Sequence, residues 1–193
     1  SKLVFLQTEN EDTLLHYPYR YELYITFSLD GNRLTVTHTV KNTNDCTMYF
    51  SLGAHPAFNC AVGDKLVFEK PETLYSERID HDSVITGEKD LILENSDTLT
   101  ITEHLFDKDA LIFEGVQSKS VTLNCEESRT KVHFTFGDVP FLAIWAKPNA
   151  PFVCIEPWHG INDSYEKVED FSKKRGIETV SYTHLRAHET LSD

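Results

Sequence analysis

Residues 19–40 read YRYELYITFSLDGNRLTVTHTV, and this stretch decides the fold class of the chain. Apolar side chains occupy every second position from Tyr19 to Leu29, and the same alternation resumes from Leu34 to Val40. A period of two is typical of a β-strand that turns one face toward a core. Between the two runs, Asp30-Gly31-Asn32 supplies residues that tolerate the positive φ of a tight turn. The stretch therefore predicts a β-hairpin.

Strand patterns of the same kind recur along the rest of the chain. Short apolar or alternating runs, bounded by Pro, Gly and Asn, are typical of buried strands. Helical signals are few, and the best is a short turn around Asp163–Phe171. Many short strands at hairpin spacing predict an all-β fold, an antiparallel β-sandwich, in a single domain over residues 1–179. The runs that carry this prediction are residues 48–52, 120–125, 131–136, 141–146 and 152–155.

Composition and charge narrow the choice of partners. The chain has 193 residues, which suffices for one domain with a sizeable core. Its net charge of −13, from 18 basic and 31 acidic side chains, would repel a phosphate-rich polymer, so no nucleic acid partner is expected. No apolar run reaches the roughly 18 residues that a membrane span needs, so no membrane partner is expected either. A neutral ligand such as a sugar is compatible with this charge.

The cysteines and the start of the chain bear on its location and completeness. The four cysteines form no C-x-x-C pair, so neither a zinc motif nor a redox motif is suggested; they are Cys46, Cys60, Cys125 and Cys154. Free cysteines and the lack of a signal-peptide pattern fit a reducing, cytoplasmic location. The first residue is not methionine, so we expect an upstream part of the gene to be missing.

The last residues depart from the pattern of the rest. Residues 180–193 continue no strand or helix period, and residues 180–190 resemble the translation of a transposon-type sequencing adapter. We therefore interpret residues 180–193 as a non-native tail and predict that they pack against nothing. His184 and His188 would then hold no metal, since two ligands alone make a poor zinc site.

Two segments combine groups that suit acid/base chemistry. His55 stands in Gly53-Ala54-His55-Pro56, where the proline restricts the histidine to extended or turn geometry at the rim of a strand. Glu156 ends the apolar run from Val153, where burial would raise the pKa of a carboxyl toward the range of a base. Trp158 adds a flat apolar face that suits a sugar ring. The alternative is a structural histidine and a glutamate paired with an arginine or backbone amides.

The chain resembles the aldose 1-epimerase (galactose mutarotase) family, in its LacX-like branch, from about Tyr17 to Ile177. The most specific motifs of this resemblance are Gly53-Ala54-His55-Pro56-Ala57-Phe58 and Ile155-Glu156-Pro157-Trp158-His159-Gly160. Weaker support comes from Asp109-Ala110-Leu111-Ile112-Phe113. The resemblance implies a large antiparallel β-sandwich, incomplete at its N-terminus in this chain, with a sugar site on its concave face.

The resemblance also implies roles for single residues. Glu156 would be the base and His55 the acid in an exchange of the α and β anomers of an aldohexose, without metal or cofactor. Asp109, Trp158 and His159 would contact the sugar, although Asp109 could equally be a surface turn residue. Family members carry a further histidine upstream that this chain lacks. We therefore expect this chain to be a weak or inactive isomerase.

Two other functions stay open at this point. A hexose-phosphate epimerase would need a cluster of Lys or Arg for the phosphate, and the motifs lack one. A non-catalytic carbohydrate-binding protein would keep aromatic platforms such as Trp145 and Trp158 but would not need an acid/base pair. The sequence leaves the identity of the sugar and the oligomeric state undecided.

Overall fold

The computed structural model describes residues 1–148, 150–181 and 184–192, and strands dominate this part of the chain. The all-β prediction is confirmed, because helix is confined there to α1 (Glu11–His16) and a 3-10 turn at Phe171–Lys173. The strands are β1 (Lys2–Thr8), β2 (Tyr21–Asp30), β3 (Arg33–Asn42), β4 (Met48–Phe50), β5 (Ala57–Asn59), β6 (Lys65–Ile79), β7 (Ile85–Thr100), β8 (Leu111–Glu114), β9 (Ser120–Cys125), β10 (Thr130–Thr135), β11 (Phe141–Trp145), β12 (Phe152–Trp158), β13 (Glu178–Val180) and β14 (His184–Ser192).

The hairpin predicted from residues 19–40 forms as β2 and β3. Leu29 lies opposite Leu34 and Leu23 lies opposite Val40, so the apolar positions of the two strands share one face. Gly31 takes a φ of 60° in the connecting turn, a conformation that costs a glycine little. A second predicted hairpin forms from β9 and β10.

Twelve of the described strands join in one antiparallel sheet. Its order is β1-β2-β3-β14-β10-β9-β6-β8-β11-β12-β5, and β7 pairs with β6 outside this path. Strands β4 and β13 pair separately. Strand β12, which carries Glu156, therefore lies near one end of the main sheet, between β11 and β5.

The main core covers one face of this sheet. Val153 and Ile155 of β12 are fully buried in it, together with Leu142 and Ile144 of β11. Successive residues of a strand point to opposite faces, so Glu156 lies on the face away from this core. The alternation along β12 thus separates a core side from a side that carries polar groups.

The structure contains two features that the sequence patterns did not predict. Helix α1 is only six residues long, and it is held by a capping box in which the Asn10 side chain accepts from Thr13 N at 2.8 Å. Strands β6 and β7 form a long pair whose register shifts at four places, and such bulges break the alternation that reveals a strand.

No helix in the described part of the chain is long and apolar enough to cross a membrane.

The helical signal at Asp163–Phe171 produces a helical turn only from Phe171 onward. Before that point, Ser164 forms a β-bridge with Ile85, and Tyr165 N donates to Ile85 O at 2.9 Å. This backbone pairing replaces the hydrogen bonds that a helical turn would form.

The prediction that residues 180–193 pack against nothing is wrong. Val180 is 5% exposed and lies in β13, which pairs with β4. The backbone of β14 pairs with β3 along its whole length and with β10 at Thr190–Ser192. Strand pairing uses backbone groups alone, so a segment without clear alternation can still fill a gap between two strands. The non-native origin of this segment stays a prediction, and Tyr182, Thr183 and Asp193 lie outside the described residues.

Strand β1 forms a free edge of the main sheet. Among the described strands it pairs with β2 alone, and all seven of its residues are exposed. Its central apolar side chains are between 47% and 57% exposed; they are Leu3, Val4, Phe5 and Leu6. One side of the main sheet therefore ends in an apolar strand with unpaired backbone groups.

Candidate active site

Glu156 is a buried carboxylate on the polar side of β12. Its side chain is 4% exposed, and it lies opposite Ala143 of β11 in the sheet register. Burial raises the pKa of Glu156, while contacts with His55 and with the Trp158 indole partly lower it. The net effect is a raised pKa, which suits a group that takes up a proton.

The segment that carries His55 is fixed to β12 by its backbone. It forms two hydrogen bonds, one on each side of the histidine: Ala54 N donates to Pro157 O at 3.0 Å, and Ile155 N donates to Pro56 O at 3.2 Å. Pro56 keeps the preceding residue out of the helical region, which suits this extended path along the strand. The backbone of His55 therefore has a defined position beside Glu156.

His55 and Glu156 are in direct contact. The His55 Nδ1 lies 2.5 Å from the Glu156 Oε2. The His55 side chain is 62% exposed, in contrast to its buried partner. One member of the pair is therefore fixed by its surroundings, and the other faces solvent and has room to turn.

Trp158 lies two residues beyond Glu156 on the same face of β12. Gly53 forms a β-bridge with Trp158, and a Cβ at Gly53 would lie only 2.7 Å from the Trp158 Cδ1. Only a glycine allows this close approach of backbone to ring. The structure thus brings three predicted site residues together and gives Gly53 a packing role that the sequence did not reveal.

Two further side chains border His55. The Cys154 Sγ lies 3.7 Å from the His55 Nε2, and burial together with Glu156 raises the pKa of this thiol to about 11. The centre of the Trp145 ring lies 6.1 Å from that of the His55 ring. Sequence reasoning gave Cys154 no role, although its position two residues before Glu156 places both on one face of the strand.

Asp109 lies apart from this pair, at the start of β8. Its φ is 84°, and its carboxylate accepts a hydrogen bond from Ala110 N at 2.7 Å. It lines a surface cavity of about 490 Å³ that neither His55 nor Glu156 lines. The role of Asp109 as a sugar contact stays a prediction.

His159 follows β12 and has partners of its own. Its Nδ1 lies 2.9 Å from the Glu178 Oε1, and its backbone N donates to Leu52 O at 2.8 Å. Gly176 passes so close that a Cβ there would lie 1.7 Å from the His159 O. These contacts tie the end of β12 to the segment that leads into β13, and a sugar contact by His159 stays a prediction.

A charged cluster lies in the same row of the sheet as Glu156, three strands away. Its centre is Glu77, which is buried and ion-paired with Arg175 at 2.9 Å and with Lys89 at 3.1 Å. Arg175 also contacts Glu114 at 2.8 Å. Both cations are therefore neutralised by carboxylates. A charged residue within β6 was the only sequence signal for this cluster.

The fold and the site place this chain among all-β proteins in which a buried glutamate contacts an exposed histidine on one face of an antiparallel sheet. The family model described as Aldose 1-epimerase matches residues 1–170. This chain belongs to the aldose 1-epimerase family.

The curated relatives include the plasmid and chromosomal LacX proteins of Lactococcus lactis subsp. lactis. Each is 32% identical to this chain over 178 residues. The match covers 86% of this chain and 60% of the relative, so the chain spans about 60% of the length of these relatives.

Similar solved structures include two proteins described as related to galactose mutarotase. A galactose mutarotase related enzyme from Lactobacillus acidophilus has a TM-score of 0.89 and 27% identity, and the match covers 99% of this chain and 67% of that one. A galactose mutarotase-like protein from Lactobacillus casei ATCC 334 has a TM-score of 0.91 and 26% identity, with 100% and 69% covered. The LacX relatives and these structures agree with the branch suggested by the sequence motifs.

Proposed function

We propose that this chain carries the acid/base pair of an aldose 1-epimerase that interconverts the α and β anomers of an aldohexose. The observation that carries the proposal is the 2.5 Å contact between the His55 Nδ1 and the Glu156 Oε2, with one side chain buried and the other exposed. The family membership supplies the reaction class. Glu156 is the base and His55 is the acid.

The reaction needs two proton transfers and no change in oxidation state. Glu156 removes the proton from the anomeric hydroxyl, and His55 donates a proton to the ring oxygen. The bond between C1 and the ring oxygen breaks, and the electron pair of the former O–H bond forms the C1 carbonyl. Rotation about C1–C2 and closure on the other face return both protons. Each positioned proton transfer contributes roughly 10²- to 10⁴-fold in rate.

The unequal exposure of the two side chains allows a sugar to enter from the side of His55. A sugar placed between them has to break their direct contact. The buried Glu156 is held in place by its strand, whereas the exposed His55 side chain can turn toward solvent. Trp158 lies beside this opening on the same face and offers its ring to the C–H face of the sugar.

The arrangement also bears on the two alternatives. A hexose-phosphate epimerase needs unpaired cations, yet Arg175 and Lys89 of the cluster around Glu77 are both paired with carboxylates. A non-catalytic carbohydrate-binding protein does not need the contact between His55 and Glu156. Both observations favour epimerisation of an unphosphorylated sugar.

The test is anomer exchange measured by polarimetry or by NMR on freshly dissolved α-glucose and α-galactose. We expect the chain to speed equilibration above the buffer rate, and Glu156→Gln to lose that increase. Sugar binding without any exchange, by this chain and by a relative of full family length, would instead support the carbohydrate-binding alternative.

A further inference from the structure

We propose that His55, Cys154 and Glu156 form a binding site for a thiophilic divalent cation such as Zn²⁺. Each of the three side chains offers one ligand atom, and these atoms all lie within 4.8 Å of one another. Among the residues whose side chains the structure describes, no second group of three such side chains occurs. The sequence concealed this group because one ligand is distant along the chain: His55 and Cys154 are 99 positions apart.

The ligand types suit zinc. A nitrogen, a sulfur and a carboxylate oxygen are the three kinds of protein ligand that zinc accepts, and sites with three protein ligands keep a fourth position for water. His55 lies on the solvent side of the group, since its side chain is exposed while Cys154 and Glu156 are buried. An ion can therefore reach the group from the side of His55.

The spacing of the atoms also suits one ion. Around a tetrahedral zinc with bonds of about 2.3 Å to sulfur and 2.0–2.1 Å to nitrogen, these two ligands lie about 3.6 Å apart. The Cys154 Sγ and the His55 Nε2 are 3.7 Å apart. The carboxylate of Glu156 lies within 4.8 Å of its partners but contacts the other ring nitrogen, Nδ1, at 2.5 Å, so the exposed His55 ring has to turn before all three groups hold one ion.

Binding of the ion competes with the proposed reaction. The imidazole and the carboxylate that would exchange protons with the sugar are the groups that would hold the ion. The cation is therefore an inhibitor that needs Cys154, a residue without a part in the proton transfers. This consequence rests on the proposed function, whereas binding of the ion does not.

The test uses Co²⁺ as a spectroscopic substitute for Zn²⁺ on the reduced 193-residue chain. A cobalt ion bound to a thiolate shows sulfur-to-metal charge-transfer absorption, which separates this site from binding by histidines alone. We expect saturation at one thiolate-bound Co²⁺ per chain and displacement by Zn²⁺. Cys154→Ser should remove the band. The matched control is Cys60→Ser, which removes another partly buried thiol and should leave the band unchanged.

A second variant keeps the proposal falsifiable if Cys154→Ser does not fold. The exposed His55 can be replaced without opening the core, and His55→Ala should weaken Co²⁺ binding at least tenfold. A band that persists in Cys154→Ser, affinity unchanged in His55→Ala, or no band in the parent chain would each overturn the proposal. Because the readout is absorption, an inactive chain would count against the proposed function and leave the metal site supported.

Discussion

At the scale of single residues, the site depends on the unequal surroundings of two side chains in contact. Glu156 is enclosed by β12 and its neighbours, and its pKa is raised by that burial. His55 touches it from the solvent side. An exchange of protons across a sugar ring requires a positioned base and a positioned acid, and the exposed His55 side chain can turn to admit the sugar between them.

Removing either group tests this assignment. We expect Glu156→Gln and His55→Asn each to lower the rate of anomer exchange by roughly 10²- to 10⁴-fold, because each change deletes one proton transfer. The matched control is His104→Asn, which removes a histidine from another contact with a carboxylate, that with Asp107 at 2.9 Å. Polarimetry on glucose and galactose measures all three variants. Equal losses in the control and the site variants would contradict the assignment.

His38 predicts a pH dependence of stability. It is buried in β3, its Nδ1 has no hydrogen-bond partner in the described part of the chain, and burial lowers its pKa below the ordinary 6.5. The unfolded chain therefore takes up a proton at a higher pH than the folded chain does. The contribution of neutral His38 to stability is present above pH 6.5 and is lost as the pH falls toward the lowered pKa.

We therefore expect His38→Leu to reduce the loss of unfolding free energy between about pH 7.5 and about pH 5.5. Urea unfolding at the two pH values measures that loss. His81→Asn serves as the control, because it removes a highly exposed histidine instead of a buried one. A parallel dependence in the parent chain and in His38→Leu would refute the prediction.

At the scale of elements, the segment before β13 passes close to the end of β12. A substitution at the point of closest approach tests how much this contact contributes to stability. Gly176 has a φ of 70°, and a Cβ there would meet the backbone of His159 at 1.7 Å. We expect Gly176→Ala to lower the free energy of unfolding by more than about 3 kcal/mol, since a strained φ and a backbone clash add.

Gly87 provides the matched control for this change. Its φ is 87°, but a Cβ there meets nothing within 4 Å. Gly87→Ala should therefore show the cost of the strained φ alone, about 1 to 3 kcal/mol. Urea unfolding of both variants gives the comparison, and equal costs at the two glycines would argue against the clash.

The elements also show which parts of the structure were predictable. The hairpin of β2 and β3 was predictable because alternation and the turn at Asp30–Asn32 are local signals. The pair of β6 and β7 was not, because its bulges interrupt the period. The pairing of β14 was not, because its partners β3 and β10 are distant in the chain and the pairing uses backbone groups.

The candidate site also has a part that the sequence predicts and a part that it does not. His55 and Glu156 were each predictable from the family motifs. Their expected positions at strand ends were wrong, because β12 continues past Glu156 to Trp158 and His55 lies between β4 and β5. Their contact, and the approach of Cys154, depend on how β12 meets the segment before β5. Local patterns carry no information on such distant pairing, and this is why the sequence did not show the group of three ligands.

At the scale of the whole molecule, the chain spans about 60% of the length of the LacX relatives. We expect this 193-residue chain to exchange anomers at least roughly 10²-fold more slowly than a relative of full family length, because the family resemblance implies that the part of the relatives that it does not span would help to position the sugar. NMR exchange rates per molecule, with the Lactobacillus casei protein as reference, measure the difference. Equal rates would show that the part of the relatives outside this match is dispensable for the exchange.

The edge formed by β1 has a consequence for handling the protein. The net charge of −13 should keep molecules apart in solution, yet residues 2–8 contain one lysine and no acidic side chain. Mutual repulsion is therefore weakest where unpaired backbone and half-exposed Leu3, Val4, Phe5 and Leu6 coincide. We expect Phe5→Lys to raise the concentration at which light scattering first reports association, and Phe27→Lys on the paired strand β2 not to reproduce that gain. Association through β1 would then limit how long the protein can be stored, and the storage buffer should be chosen to oppose association at this strand.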